Sequence, residues 1–231
     1  MNKIEAFTHE PRIAYFSMEI ALRVDIPTYS GGLGVLAGDT LRSAADLQVP
    51  LVAVTLASRA GYFRQDIDGG GKQIELPDPW QPSQFASRLQ AGVAVSIEGR
   101  DVWISAWLFV LESPFGGRVP VLLLDTDLPL NSVEDRAITS QLYGGDQVYR
   151  LKQEIVLGIG GFRMLQALGF TIRKYHMNEG HSALLALELM HRFTYPVENV
   201  RANEAGCDVP RVRDLCVFTT HTPIDAGHDK F

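Results

Sequence analysis

Apolar positions along this chain alternate between short continuous runs and longer stripes spaced for a helix. Ile13-Ala14-Tyr15-Phe16-Ser17 reads as a buried strand, and Val35 to Leu47 reads as a helix. Leu51 to Leu56 is apolar apart from Thr55 and follows Pro50, which predicts a strand covered on both faces and completes a β-loop-α-β unit. Residues 61 to 90 are rich in Gly, Pro, Asp and Gln, with Gly69-Gly70-Gly71 and Pro77-Asp78-Pro79, and predict loops. Three further runs predict strands: Gly92 to Ile97, Val102 to Val110 and Val119 to Leu124. Turn signals at Glu98-Gly99-Arg100-Asp101 and Pro114-Phe115-Gly116-Gly117 join them, so they form an antiparallel insertion or an extension of the sheet.

From Asp146 to Leu168 the apolar residues Val148, Leu151, Ile155, Ile159, Phe162 and Leu165 recur at steps of three and four, the signature of a long amphipathic helix. Gly158, Gly160 and Gly161 lower its intrinsic propensity by roughly 1 kcal/mol each, and close packing against a neighbouring backbone would account for them. A strand at Thr171 to His176, a helix from His181 to Phe193 and a strand at Leu215 to Thr219 complete the pattern. Strands alternating with helices indicate an α/β fold with a doubly wound sheet, whose ligands lie beyond the carboxyl ends of the strands.

That rule directs attention to the loops Ser30 to Gly34, Met177 to Ser182 and Thr220 to Gly227. Ser30-Gly31-Gly32-Leu33-Gly34 stands between a strand and a helix, and its glycines permit left-handed or crowded backbone. Amide N–H groups at the start of the following helix can then face an anion; the plainer reading is a turn kept small for packing. Gly32-x-Gly34-x-x-Ala37 also fits a loose dinucleotide fingerprint, but Leu51 to Ala57 offers no carboxylate about 20 positions on, which argues against a nicotinamide cofactor.

His176-Met177-Asn178-Glu179-Gly180-His181-Ser182 gathers an amide, a carboxylate and two imidazoles, suited to binding hydroxyls or phosphate, to acid/base work, or to capping alone. The spacing of His176, Glu179 and His181 is not that of a helical zinc motif, so no metal is expected. His221 follows an apolar strand and would project where the sheet's ligands bind.

Composition narrows the setting. The 231 residues suffice for one large α/β domain or one and a half smaller ones, and the shares of hydrophobic (46%) and charged (21%) residues are ordinary for a globular protein. A formal net charge of −6 disfavours nucleic acid and anionic membrane as partners, while leaving room for a local phosphate site. Cys207 and Cys216 alone indicate neither a disulfide framework nor a structural metal. Met1 to Phe7 has no long apolar core of the kind a signal peptide carries, and no later run approaches about 18 apolar residues, so a cytoplasmic location is expected.

Five motifs in order resemble the N-terminal part of the α-glucan (glycogen/starch) phosphorylases, particularly their compact prokaryotic form. They are Tyr15-Phe16-Ser17-Met18-Glu19, Ser30 to Gly34 with Ala37-Gly38-Asp39, Arg150-Leu151-Lys152-Gln153-Glu154, Asn178-Glu179-Gly180-His181-Ser182 and Thr219-Thr220-His221-Thr222-Pro223. The resemblance spans Ile13 to Phe231. It implies a two-domain GT-B glycosyltransferase that moves a terminal α-1,4-linked glucose to inorganic phosphate and releases glucose 1-phosphate. On this reading residues 1–231 form an incomplete, Rossmann-like N-terminal domain.

The resemblance also assigns roles. Gly31, Gly32 and Leu33 match the loop whose amides contact the substrate phosphate and glucosyl group, and His221 matches the histidine that hydrogen-bonds the glucosyl unit. Asn178, Glu179 and His181 fall in the sugar-site wall. Tyr143-Gly144-Gly145-Asp146 resembles, at a different length, the mobile loop gating the glucan channel, with Asp146 as its substrate-side residue. In the intact family enzyme pyridoxal phosphate acts through its phosphate as a proton relay. None of Lys3, Lys72, Lys152, Lys174 or Lys230 has the context of the cofactor lysine, so covalent cofactor binding by this chain is not expected.

The C-terminal cofactor domain of the family has no counterpart in this chain, which is expected to be inactive alone. The face meant for that domain would expose apolar surface, which favours association of copies or aggregation. Two other readings stand beside this one. A starch or glycogen synthase carries a Lys-x-Gly-Gly-Leu-Gly loop, whereas the lysine position here is Tyr29; alternatively the chain is a non-catalytic remnant that binds glucan or a partner.

Overall fold

The computed structural model describes residues 4–196, 198, 200 and 204–221. Its strands and α-helices, in chain order, are β1 (Arg12–Phe16), α1 (Gly32–Asp46), β2 (Leu51–Leu56), β3 (Arg64–Ile67), β4 (Gln73–Leu76), β5 (Ser87–Ile97), β6 (Arg100–Glu112), β7 (Arg118–Asp125), α2 (Val133–Arg136), α3 (Gln147–Ile155), α4 (Gly161–Ala167), β8 (Ile172–Asn178), α5 (Leu185–Arg192), α6 (Val209–Leu215) and β9 (Cys216–Thr219). Seven strands make one sheet in the order β5-β6-β7-β2-β1-β8-β9. Neighbours from β7 to β9 are parallel, and β5 and β6 add antiparallel strands at one edge. The fold is thus mixed α/β on a mostly parallel sheet, and the three middle runs extend that sheet rather than forming a separate insertion.

Both faces of the sheet are covered, because successive side chains on a strand point to opposite sides. Val52, Val54 and Leu56 of β2 join Phe16, Leu122 and Leu124 in one core, under α4 residues Phe162, Met164 and Leu165 and α5 residues Leu185 and Leu189. Leu51 and Ala53 join Tyr15, Val121 and Leu123 in a second core, closed by Ala37, Leu41, Ala44 and Ala45 of α1. Strand β2 therefore has every residue buried, which is why its limits coincide with the apolar run.

Besides the short α2, which was not expected, and the start of α1, three segments differ from the sequence expectation. Within residues 61 to 90, β3 and β4 pair as a two-stranded antiparallel hairpin whose residues are almost all exposed, so no hydrophobic alternation marks it. The Asp68 side chain organises its turn, accepting from the amides of Gly70 and Lys72, each at 2.9 Å. Helix α6 was not expected; it buries Val212 alone and is announced by Asp208, which caps it, and a proline in its first turn. The long stripe from Asp146 to Leu168 is a continuous helix, but α3 and α4 are joined by a π turn at Val156–Gly160, where the glycines lie.

Strand order reverses between β1 and β8. From β1 the chain proceeds to β2 on one side, and from β8 to β9 on the other. The carboxyl ends of β1, β8 and β9 therefore face one crevice. No helix among the described residues is long and apolar enough to cross a membrane.

Candidate functional site

Ser17, Asn178 and Thr219 end or follow the three strands at the crevice, and a hydrogen-bonded chain runs across them. Asn178 is buried, its side-chain amide donating to Ser17 Oγ at 3.2 Å and its Oδ1 lying 2.9 Å from His221 Nε2. Ser17 Oγ in turn donates to the carbonyl of Glu19 at 2.7 Å. Since Asn178 donates to Ser17, its oxygen accepts from His221, which puts a proton on Nε2 and leaves Nδ1 as the ring atom open to a ligand. Asn178 is therefore not a helix cap, so the capping-alone reading of this turn does not hold for it.

Glu179 turns the other way along the backbone. Its carboxylate accepts from the amide of His221 and from Thr220 Oγ1, while its own amide donates to the carbonyl of Thr219 at 2.8 Å. The side chain is buried and its backbone sits at φ 64°, ψ 179°, a region that is essentially glycine's. A conformation of this kind costs on the order of 1–3 kcal/mol and persists where surrounding contacts over-determine it. Here those contacts fix the segment carrying His221.

The glycine loop is built differently from the sequence expectation. Helix α1 starts at Gly32 rather than Val35, and neither Gly31, Gly32 nor Gly34 has positive φ. The reason is Glu19, buried just beyond β1, whose Oε2 accepts from the amides of Ser30 at 2.6 Å and Gly31 at 3.1 Å. That carboxylate supplies the cap that Gly31 lacks, so the chain turns helical at once. It also corrects one assignment: the Gly31 N–H is already used, and the loop's donors without a partner among the described residues are those of Gly32, Leu33 and Gly34.

Glu19 reaches further. Its Oε1 accepts from the Tyr143 hydroxyl at 3.1 Å, and the Tyr143 ring lies 5.5 Å from that of His181. Residues 143 to 146 and the Asn178 to Ser182 turn thus approach the glycine loop through side chains. Asp146 itself is exposed and caps α3, its Oδ1 accepting from the Tyr149 amide at 2.9 Å. Of the predicted loop Thr220 to Gly227, residues 222 to 227 lie outside the described residues.

His176, one residue pair inside the sheet from Asn178, lies 2.7 Å from Thr219 Oγ1 and packs its ring edge-on to Tyr15. Burial, and then the proximity of His221, push its pKa below the ordinary 6.5. Tyr15 is pushed up to about 12 by burial. Both therefore stay neutral at pH 7 and add no charge beside the crevice.

Glu19, Ser17 and Thr220 had no role in the sequence reading. The signal that finds Glu19 and Ser17 is their position immediately after β1, by the same strand-end rule that singled out Asn178 and His221. Among the described residues no His, Cys, Asp and Glu side chains gather as a ligand set for a metal ion. Of the described lysines, Lys152 pairs with Glu98 and Lys174 with Asp214, and Lys72 is exposed in the β3–β4 turn. These residues do not fit a covalently held aldehyde cofactor at the crevice.

No family model matches the chain. It is 42% identical over 229 residues to the maltodextrin phosphorylase of Thermococcus litoralis, a match covering 96% of this chain and 26% of that protein. To the glycogen phosphorylase of Mycobacterium tuberculosis strain H37Rv it is 43% identical over 234 residues, covering 95% of this chain and 26% of that protein. The glycogen phosphorylase of Aquifex aeolicus is 32% identical over 225 residues, and there the chain spans 31% of the relative's length. Over nearly its whole length, then, this chain is a relative of the glycogen and maltodextrin phosphorylases, matching a stretch about a quarter as long as they are.

Proposed function

We propose that this chain is the Rossmann-like N-terminal part of a GT-B α-glucan phosphorylase, supplying one wall of the site where a terminal α-1,4-linked glucose passes to inorganic phosphate. The observation that carries the reading is the unbroken run of contacts from the Gly31 amide through Glu19, Ser17 and Asn178 to His221. It ties the loop that would hold the anion and the imidazole that would meet a sugar hydroxyl to the same strand ends.

Phosphorolysis with retention develops positive charge on the sugar and needs a phosphate held beneath it. Fixed donors suit that task, because they are oriented before charge develops. The amides of Gly32 and Leu33 would hold the phosphate or glucosyl group, and Nδ1 of His221 would accept from a sugar hydroxyl. Asn178 and Glu179 act one step back, orienting His221. The family's pyridoxal phosphate would be held by the remainder of the protein, since the described lysines Lys72, Lys152 and Lys174 do not fit it.

The test is titration of the ¹⁵N-labelled 231-residue chain with glucose 1-phosphate. Shifts are expected at the Gly32 and Leu33 amides and at the His221 ring, with no glucose 1-phosphate released from glucan and phosphate by this chain alone. Shifts confined to other surfaces would overturn the assignment, and turnover by the chain alone would overturn the shared-site reading.

A further inference from the structure

Two loops at the crevice meet on a single buried side chain. Ser30 to Gly34 follows β1 and its excursion, and Tyr143 precedes α3; the Glu19 carboxylate gives one oxygen to each. Oε2 accepts from the Ser30 amide at 2.6 Å, the Gly31 amide at 3.1 Å and Ser30 Oγ at 3.3 Å, and Oε1 accepts from the Tyr143 hydroxyl at 3.1 Å. Room for the carboxylate comes from Gly34, where an added Cβ would stand 2.6 Å from Oε2. Tyr143 is itself held at φ 53°, an uncommon conformation for a tyrosine.

A carboxylate 4% exposed is tolerable only while its oxygens are engaged. Withdrawal of Tyr143 removes the hydroxyl donor to Oε1. The carboxylate then gains by rotating toward another donor or water, and that rotation loosens its grip on the Ser30 and Gly31 amides. Those amides set the direction of the next two, Gly32 and Leu33. The coupling runs both ways, since whatever orders the glycine loop also favours the seated Tyr143.

We infer that Glu19 is a positioning residue that latches the Tyr143 loop to the glycine loop, so that the anion-binding amides are correctly aimed only while Tyr143 is seated. The latch rests on the proposed function only for what the loop holds; the coupling itself rests on these contacts.

The experiment uses the 231-residue chain, with amide hydrogen exchange read at Ser30 and Gly31 and with inorganic phosphate as the probe. Tyr143→Phe removes only the hydroxyl and should speed exchange at Ser30 and Gly31 by about fivefold, the value of one hydrogen bond. Glu19→Gln should speed it by about tenfold or more, because a charge-assisted acceptor is lost. In the unsubstituted chain, phosphate should shift Gly32, Leu33 and also Tyr143; in Glu19→Gln the Tyr143 response should vanish, which a merely structural role would not produce.

Unchanged exchange in Tyr143→Phe overturns the latch, whether or not Glu19→Gln folds. Accelerated exchange with no phosphate shift at Gly32 or Leu33 supports the latch and overturns the phosphate reading. Phosphate shifts with unchanged exchange do the reverse.

Discussion

Two of the chain's glycine clusters stand in opposite surroundings. In the π turn and the start of α4, an added Cβ at Gly158 would stand 2.8 Å from the Leu185 amide nitrogen, and one at Gly161 would stand 2.7 Å from Phe16 Cε1 and 2.8 Å from Val54 Cγ1. In the loop before α1, an added Cβ at Gly31 or Gly32 meets nothing within 4 Å, and neither residue has positive φ. The first cluster is explained from within the fold. In the second, Gly34 is explained likewise, since a Cβ there would stand 2.5 Å from Tyr29 Cβ, but Gly31 and Gly32 are not, and open space beside helix-end amides is what close approach of a ligand requires.

The contrast is broken most directly at Gly161. Gly161→Val forces three carbons into a site bounded by fully buried Phe16 and Val54, neither of which has room to yield. Helix propensity favours the change by less than 1 kcal/mol, whereas overpacking costs typically 1–3 kcal/mol, so a net loss of about 2 kcal/mol is expected. Urea unfolding followed by circular dichroism measures it. A midpoint equal to that of the unsubstituted chain would show that the helix glycines are not packing residues.

Much of this division was readable beforehand, and the exceptions share a cause. The limits of β2 and the existence of β1, β5 to β8, α1 and α5 follow from apolar runs, because each buries a face; β9 has such a run too, although its Val217 and Phe218 are exposed. The β3–β4 hairpin buries none, so polar Arg64 to Leu76 read as loop. Close packing against a neighbouring backbone is expected at Gly158, Gly160 and Gly161 and is found at Gly158, whereas Gly160 and Gly161 meet the side chains of Ile104 and of Phe16 and Val54; the π turn was not expected, since no residue pattern distinguishes it from ordinary helix.

At the site, Asn178, Glu179 and His221 were legible as strand-end residues, but their division of labour was not. Whether Glu179 faces a ligand or the His221 segment depends on one φ angle, and a sequence does not display it. Glu19 was hidden for a different reason: its partners Ser30, Gly31 and Tyr143 are brought to it only by the folded loops. The helix start was misplaced with it, because the capping carboxylate comes from a residue well outside the usual capping window.

A smaller effect separates the crevice from the rest of the fold by pH. His176 is held below its ordinary pKa of 6.5, first by burial and then by His221. Between that ordinary value and the lowered folded one, the unfolded chain binds a proton that the folded chain refuses. Stability attributable to His176 is therefore full above 6.5 and is lost as pH falls through the folded value. Comparing unfolding of the unsubstituted chain and His176→Gln from about pH 8 to about pH 5 should show the acid-side loss reduced in the variant. Parallel curves would remove His176 from the account. Because His221 is a cause of the shift, His221→Ala should weaken the same step.

The smallest expected effect on stability is the most telling for the comparison. Gly32→Ala places its methyl in open space on an ordinary backbone at the first position of α1, and replacing glycine there narrows the unfolded ensemble. Stability should stay level or rise by about 0.4–1 kcal/mol. Yet the methyl would stand beside the Gly32 and Leu33 amides, where a bound phosphate oxygen must come within hydrogen-bonding distance of about 3 Å. Glucose 1-phosphate should then no longer shift those amides, although the fold is intact. Loss of binding without loss of stability at Gly32, set against loss of stability at Gly161, would give the two glycine clusters separate causes. A Gly32→Ala chain that binds unchanged would leave the exposed glycines without a ligand-based explanation, and the loop would be a turn like any other.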